Sequence, residues 1–318
     1  MKVLFVAAEG VPFSKTGGLA DVIGALPKEL QRSGLDVRVV LPKYGDTPSQ
    51  YEEKMELVHR FSVQVGWRNQ YCGVLKLEYE GVVFYFIDNE SHFKRPGTYG
   101  FFDDGERFSF FNRAILEALP FLDFKPDLIH CHDWHAGMIP VMLTQYRNQE
   151  FYTKIKTVFT IHNLQYQGVF PKSVLTDLLG LGWEHFNVNG VEYHDQVSFM
   201  KGGLNYSNAL TTVSPTYAKE IQTSFYGANL EGVLARRQSF LTGIINGIDT
   251  KEWNPETDLH LTKNYSYRSL KRKAENKLAL QEELGLKQDP NIPMLGMVTR
   301  LADQKGLDLI AHVLHEIL

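Results

Sequence analysis

The first forty or so residues constrain the fold most. "VLFVAAE" (Val3 to Glu9) is a short apolar run, "PFSKTGGLADVIGALPKEL" (residues 12–30) carries an amphipathic helix, and "LDVRVVLP" is a second apolar run. Strand, helix and strand at that spacing make a βαβ unit, which commits the chain to a parallel sheet with crossover helices. The loop after the first strand of such a unit is a place where ligands bind. Here it holds Lys15, Thr16, Gly17 and Gly18. Glycines let the backbone approach a ligand closely or take positive φ, and a helix start presents free N–H groups and a positive dipole end. With a mobile lysine charge beside them, the set suits a phosphate; read plainly, it is a glycine turn with a surface lysine. It is neither a Walker A loop nor the G-x-G-x-x-G fingerprint. Leu19, Val22, Ile23, Leu26 and Leu30 mark one apolar helix face, and Pro27 inside that pattern predicts a kink or a new turn.

Beyond this unit, "HRFSVQVG" through "CGVLKLEYEGVVFYFIDN" reads as antiparallel strands inserted into the parallel sheet or added at its edge. "RPGTYGFFDDG" (Arg95 to Gly105) is dense in turn formers and reads as an exposed loop, followed by a helix with Phe108, Phe111, Ile115 and Leu119 at helical spacing. Then one pattern recurs. "PDLIHCHDWHAG" is apolar to Ile129, "KTVFTIHN" to Ile161, "NALTTVSP" to Val213 and "LTGIINGID" through Ile244-Ile245, each before a polar switch. Chemistry-capable residues gathered at the carboxyl ends of successive parallel strands point to a crevice there. Periodicity is lost from Asn254 to Tyr267, as in a linker. "SLKRKAENKLALQEELGL" then reads as a helix closed by Gly285, and "IPMLGMVTRLADQKGLDLIAHVLHEIL" as strand, polar loop and amphipathic helix. An apolar strand with so little around it cannot be covered on both faces, so a chain continuing for roughly 150 residues, one typical domain, is expected.

Composition limits the function classes. A net charge of -4 argues against a general nucleic-acid or membrane-surface binder. Two cysteines, Cys72 and Cys131, exclude a disulfide framework and fit a reducing compartment. The first apolar run is too short for a secretory signal, and no run approaches the ~20 residues of a membrane span. A cytoplasmic globular α/β protein is expected.

Several strand ends carry candidate chemistry. "HCHDWHAG" offers His130, His132 and His135, but their spacing follows no established zinc pattern. Asp133 and Trp134 suggest polyol binding, a carboxylate for hydroxyls and a ring for a sugar face; the alternative is a packed turn in which Asp133 caps a helix. His162-Asn163 and Asn246-Gly247 face the same crevice if the strands are parallel. Arg300 and Lys305 can clamp a diphosphate, or belong to a solvated charged loop.

"KTGGLADV" after "VLFVAAE", with "HDWH", "TIHN", "NGID" and "TRL–DQKG" in that order, resembles the bacterial glycogen synthases and plant starch synthases, over essentially the whole chain. The resemblance implies an α/β glycosyltransferase of the GT-B type, with two facing Rossmann-like domains. Domain ranges of 1–245 for the acceptor side and 246–318 for a linker and an incomplete donor side follow from it. It further implies retaining transfer of glucose from ADP-glucose to the non-reducing end of an α-1,4-glucan such as glycogen, with no metal or cofactor. Carried over by motif, Lys15 contacts the donor diphosphate beside Gly17 and Gly18, and His162 sits against the donor glucose with Asn163. Asp133, Trp134, His135 and Asn246 line the crevice, and Arg300 and Lys305 form a second phosphate clamp. The family's E-x7-E motif and its final returning helix are not in these 318 residues, so slow or absent turnover is expected of the chain alone. Three alternatives remain: a related transferase using UDP-glucose, a non-catalytic glucan-binding fragment, and a nicotinamide oxidoreductase, the last disfavoured by the missing G-x-G-x-x-G.

Overall fold

The computed structural model describes residues 1–302 and 305–318. By internal packing the chain divides into two compact units, Met1–Gly247 and Ile248–Leu318.

The first unit is built on a nine-stranded sheet. In chain order its strands are β1 (Lys2–Val6), β2 (Asp36–Pro42), β3 (Glu56–Val65), β4 (Arg68–Tyr79), β5 (Val82–Asp88), β6 (Leu128–His132) and β7 (Lys156–Ile161). After a small three-stranded sheet of β8 (Val169–Pro171), β9 (Glu192–Tyr193) and β10 (Gln196–Ser198), the large sheet resumes with β11 (Ala209–Thr212) and β12 (Leu241–Gly243). The order across the large sheet is β12-β11-β7-β6-β1-β2-β5-β4-β3. Pairing is parallel from β12 through β5 and antiparallel for β4 and β3, so the expected antiparallel strands lie at one edge. Strand order reverses between β1 and β6, and the carboxyl ends there form the crevice that open α/β sheets use for ligands.

Period-two alternation explains how β1 is buried on both faces. Val3, Phe5 and Ala7 join the cluster under helix α1 (Gly18–Arg32), with Ile23, Val39 and Phe86, while Leu4, Val6 and Ala8 join the larger cluster on the other face. The larger cluster holds Phe108, Phe111 and Ile115 of helix Asp104–Ala118 and Phe199 and Leu204 of helix Phe199–Tyr206. Helix α1 runs through Pro27 as one fifteen-residue element, with Pro27 buried, so of the kink or new turn expected there no new turn begins. Gly24 lets this helix lie close to the loop below: a Cβ there would stand 2.2 Å from Val11 Cγ2.

Two expectations need correction. The fourth polar switch comes earlier than read, because β12 ends at Gly243 and Ile244 and Ile245 are exposed beyond it. In the second unit no strand forms at "IPMLGMV"; Leu295 and Val298 are exposed, 68% and 103%. A strand needs a neighbour to pair with, and none of the described residues supplies one. That unit instead holds helices Lys273–Glu283, closed at Gly285 with φ +66°, and Leu307–Ile317, which buries no residue.

Candidate active site at the strand ends

The loop after β1 is organised by a carboxylate that sequence reasoning treated only as the end of an apolar run. Glu9, 1% exposed, accepts hydrogen bonds through Oε2 from the backbone N–H of Thr16 and, at 3.0 Å, of Gly17. The Thr16 and Gly17 amides, just before the helix start, are therefore already taken up by a carboxyl group of the protein itself. Burial pushes the Glu9 carboxyl above its ordinary pKa despite these donors. Gly17 has φ −147°, and Gly18 is not among the positive-φ residues, so neither uses the left-handed freedom anticipated for it. A Cβ on Gly18 would meet nothing within 4 Å, which leaves open space over the first turn of α1. Lys15 Nζ is paired with Asp21 Oδ1 at 2.7 Å, both side chains about half exposed, 50% and 45%. Asp21 was not anticipated, although it lies in the first turn of α1, where a carboxylate favours the dipole.

The segment Arg95 to Gly105, read as an exposed loop, enters a helix at Asp104, and the part before it is locked in place. Arg107, fully buried, donates to the carbonyls of His92 (2.7 Å) and Thr98 (2.9 Å) and pairs with Asp104. Asp104 Oδ2 in turn accepts from Gly100 and Phe101 N–H, at 2.6 and 3.1 Å. This fastens Thr98 beside Thr16, hydroxyl to hydroxyl at 2.6 Å, and so ties the loop to the Lys15 segment.

After β6, Asp133 takes φ +55° and directs its carboxylate across to the end of β7. Its Oδ1 accepts from His162 N–H at 2.8 Å and Asn163 N–H at 3.3 Å. It does not cap the short 3₁₀ turn Trp134–Ala136 that follows it. Burial raises its pKa to about 7, outweighing the two backbone donors. Asp133 is thus the brace that joins two neighbouring strand ends. His162 itself shares a hydrogen bond of 2.9 Å between its Nε2 and His132 Nδ1, and burial lowers its pKa to about 4, so it is neutral near pH 7. Asn163 Oδ1 accepts from Gln165 N–H at 3.0 Å, which turns the chain after β7.

The three histidines of "HCHDWH" part ways. His130 Nε2 meets Thr160 Oγ1 at 2.6 Å, and His132 meets His162. His135, placed on the crevice by the sequence, is instead packed beneath Trp134. The two rings stack at 4.0 Å with Phe108 and Tyr99 around His135, and neither of its ring nitrogens has a hydrogen-bond partner among the described residues. Burial takes its pKa down to about 3. Trp134 does reach the crevice, lining a cavity of about 530 Å³ with Phe101, Gln167, Phe170, Tyr193 and Asn229 among others. Gly168 is required on its wall: it has φ +56°, and a Cβ would stand 2.3 Å from the Trp134 ring. Aromatic faces interleaved with amide groups are the surface a sugar chain prefers, apolar ring faces against rings and hydroxyls against polar groups.

Asn246 lies three residues past β12, exposed and, among the described residues, with no hydrogen bond. Arg300 and Lys305 are in the second unit, both exposed and before helix Leu307–Ile317 in the chain; residues 303 and 304 of the same motif lie outside the described residues. No helix among the described residues is long and apolar enough to cross a membrane.

The strand ends flanking the switch point thus carry the Lys15 loop, the buried Asp133 carboxyl and the neutral His162, beside a crevice with aromatic walls. Residues 2–236 match the family model described as starch synthase catalytic domain, and the chain belongs to that family. It is 59% identical to a glycogen synthase of Desulforamulus reducens and 56% identical to one of Alkaliphilus metalliredigens, each over 319 aligned residues and all of this chain. It spans 66% and 67% of the lengths of those two relatives. Among solved structures it resembles the catalytic domain of starch synthase IV from Arabidopsis thaliana bound to ADP and acarbose, with a TM-score of 0.91 and 35% identity over 99% of this chain and 65% of that one. The fold class is the α/β, GT-B type.

Proposed function

We propose that the protein carrying this chain transfers glucose, with retention, from ADP-glucose to the non-reducing end of an α-1,4-glucan such as glycogen. The observation that carries this reading is the convergence of the Lys15 loop, Asp133 and His162 at the sheet's switch point, beside the Trp134 crevice. The ADP and acarbose bound by the Arabidopsis relative support a nucleotide donor and a glucan-like acceptor. In this reading the first unit is the acceptor side and the second begins the donor side.

The chemistry follows from where charge develops. Breaking the bond between the sugar C1 and the phosphate oxygen sends the electron pair to ADP and leaves the glucose oxocarbenium-like. Lys15 leaves Asp21 to meet the diphosphate; an ion pair this exposed costs little to break. Arg300 and Lys305 are read as further diphosphate ligands. The acceptor hydroxyl attacks C1 from the face the phosphate leaves, and its proton passes to the departing phosphate oxygen. Trp134 and its aromatic neighbours hold the acceptor, Asn246 lines the crevice, and His162 orients the donor sugar while Asp133 holds the His162 and Asn163 backbone. Gly18, rather than the Glu9-bound amide of Gly17, offers the close approach for phosphate.

The test is incorporation of labelled glucose from ADP-glucose into glycogen. His162→Ala is expected to lower kcat by roughly a hundredfold or more, the scale of a lost positioning contact. Near-normal turnover in that variant would refute its role, and preference for UDP-glucose would transfer the reading to the related donor class. Because the crevice lies within the first unit, glucan retention without ADP binding is the second reading, and affinity electrophoresis in glycogen with and without ADP separates the two.

A further inference from the structure

His132 has no part in the reading above, yet its surroundings leave it few options. Its ring is fully buried, lies against Phe5 at 5.2 Å and 22°, and has His130 on another side at 4.2 Å. Nδ1 shares the 2.9 Å hydrogen bond with His162 Nε2, and Nε2 is enclosed with no partner among the described residues. A neutral imidazole carries one N–H, so one of the two bonded nitrogens donates and the other must be bare. If His162 donated through Nε2, His132 would carry its proton on Nε2 and bury an N–H with no acceptor. If His132 donates through Nδ1, its enclosed Nε2 is only an unused lone pair, the less costly defect. Burial keeps both rings in the neutral form this choice requires.

The consequence falls on His162. Among the described residues its Nδ1 makes no hydrogen bond, and His162, unlike the fully buried His132, is only partly buried at the carboxyl end of β7. We propose that His132 is a positioning residue that fixes the tautomer of His162, presenting Nδ1–H outward as a hydrogen-bond donor to an oxygen of the bound sugar. The inference rests on the proposed function for the identity of that acceptor, and on the buried pair alone for the tautomer. A site built this way discriminates: a sugar with hydrogen in place of the accepting oxygen leaves the Nδ1–H unpaired.

Long-range proton–nitrogen correlation spectra of the ring-labelled chain at neutral pH, with His162 assigned by loss of its signals in His162→Gln, read the tautomer directly. The expected pattern is a protonated Nδ1 and a bare Nε2 on His162; the reverse overturns the proposal. In His132→Phe, which removes the donor, His162 is expected to lose that fixed pattern, and in His132→Asn, whose amide N–H replaces Nδ1–H, to regain it. A His162 that keeps the Nδ1–H form in His132→Phe would also overturn the proposal. In the transfer assay His132→Phe is expected to lower kcat roughly tenfold or more with little change in KM, and His132→Asn to restore most of it. A wild-type protein inert toward every glucosyl donor would sink the proposed function alone, leaving the tautomer to the spectra.

Discussion

Gly18 and Gly24 stand on the same helix and do opposite work. A methyl group at Gly24 would press on Val11 Cγ2 at 2.2 Å and on the Val11 carbonyl oxygen at 3.0 Å, so the helix or the loop must shift. Gly24→Ala is expected to destabilise the protein by about 1–3 kcal/mol, read as a lower urea midpoint. At Gly18 the same change meets open space and replaces a poor helix former with the best. Gly18→Ala is therefore expected to keep or slightly raise the urea midpoint while weakening ADP binding roughly tenfold, because the space it fills is the one assigned to the diphosphate. Normal ADP affinity in Gly18→Ala would remove that glycine from the site. Sequence reading singles out Lys15, Gly17 and Gly18 but not Glu9, since nothing in a run ending in glutamate says that the side chain reaches the amides seven and eight residues ahead.

At the scale of single elements, the ends of β6 and β7 concentrate histidines that the fold keeps neutral. Burial lowers His130 and His135 to about 3 and His162 to about 4, takes His132 well down, and holds His92, near β5, at about 4. Between pH 6.5 and about 4 the unfolded chain binds protons at these rings that the folded chain refuses. Their contribution to stability is thus complete above pH 6.5 and is lost as pH falls, by up to about 1.4 kcal/mol per pH unit for each ring. Asp133, raised to about 7, acts in the opposite sense, its contribution lost as pH rises from about 4 to 7, and burial raises Glu9, Asp88 and Glu117 too. Five histidines against four carboxyls leave a net loss of stability below pH 6.5. The urea midpoint is expected to fall from pH 6.5 to 4.5; a flat profile would contradict the buried, neutral rings. The sequence marked the strand ends because an apolar run must stop where it leaves the sheet. It could not pair His132 with His162, thirty residues away, because that contact depends on β6 and β7 being neighbours.

At the scale of the molecule, what was legible was the part ruled by local periodicity. The βαβ opening, the antiparallel strands at one edge and the row of strand-end switches all follow from patterns a few residues long. What was not legible depended on partners distant in the chain: His135 packs against Phe108 and Tyr99, and "IPMLGMV" forms no strand where no described residue offers a neighbouring one. Of the chain's four tryptophans, Trp67, Trp183 and Trp253 are 88%, 55% and 64% exposed, and Trp134 alone is buried, at 7%. Emission from the first three is expected at long wavelength and open to quenching by iodide, whereas a blue, iodide-resistant component belongs to Trp134 and vanishes in Trp134→Phe. Since that ring forms a wall of the crevice, a maltooligosaccharide lying against it is expected to change the blue component and leave the red one as it was. The protein carries its own lamp at the place where the sugar chain is proposed to rest.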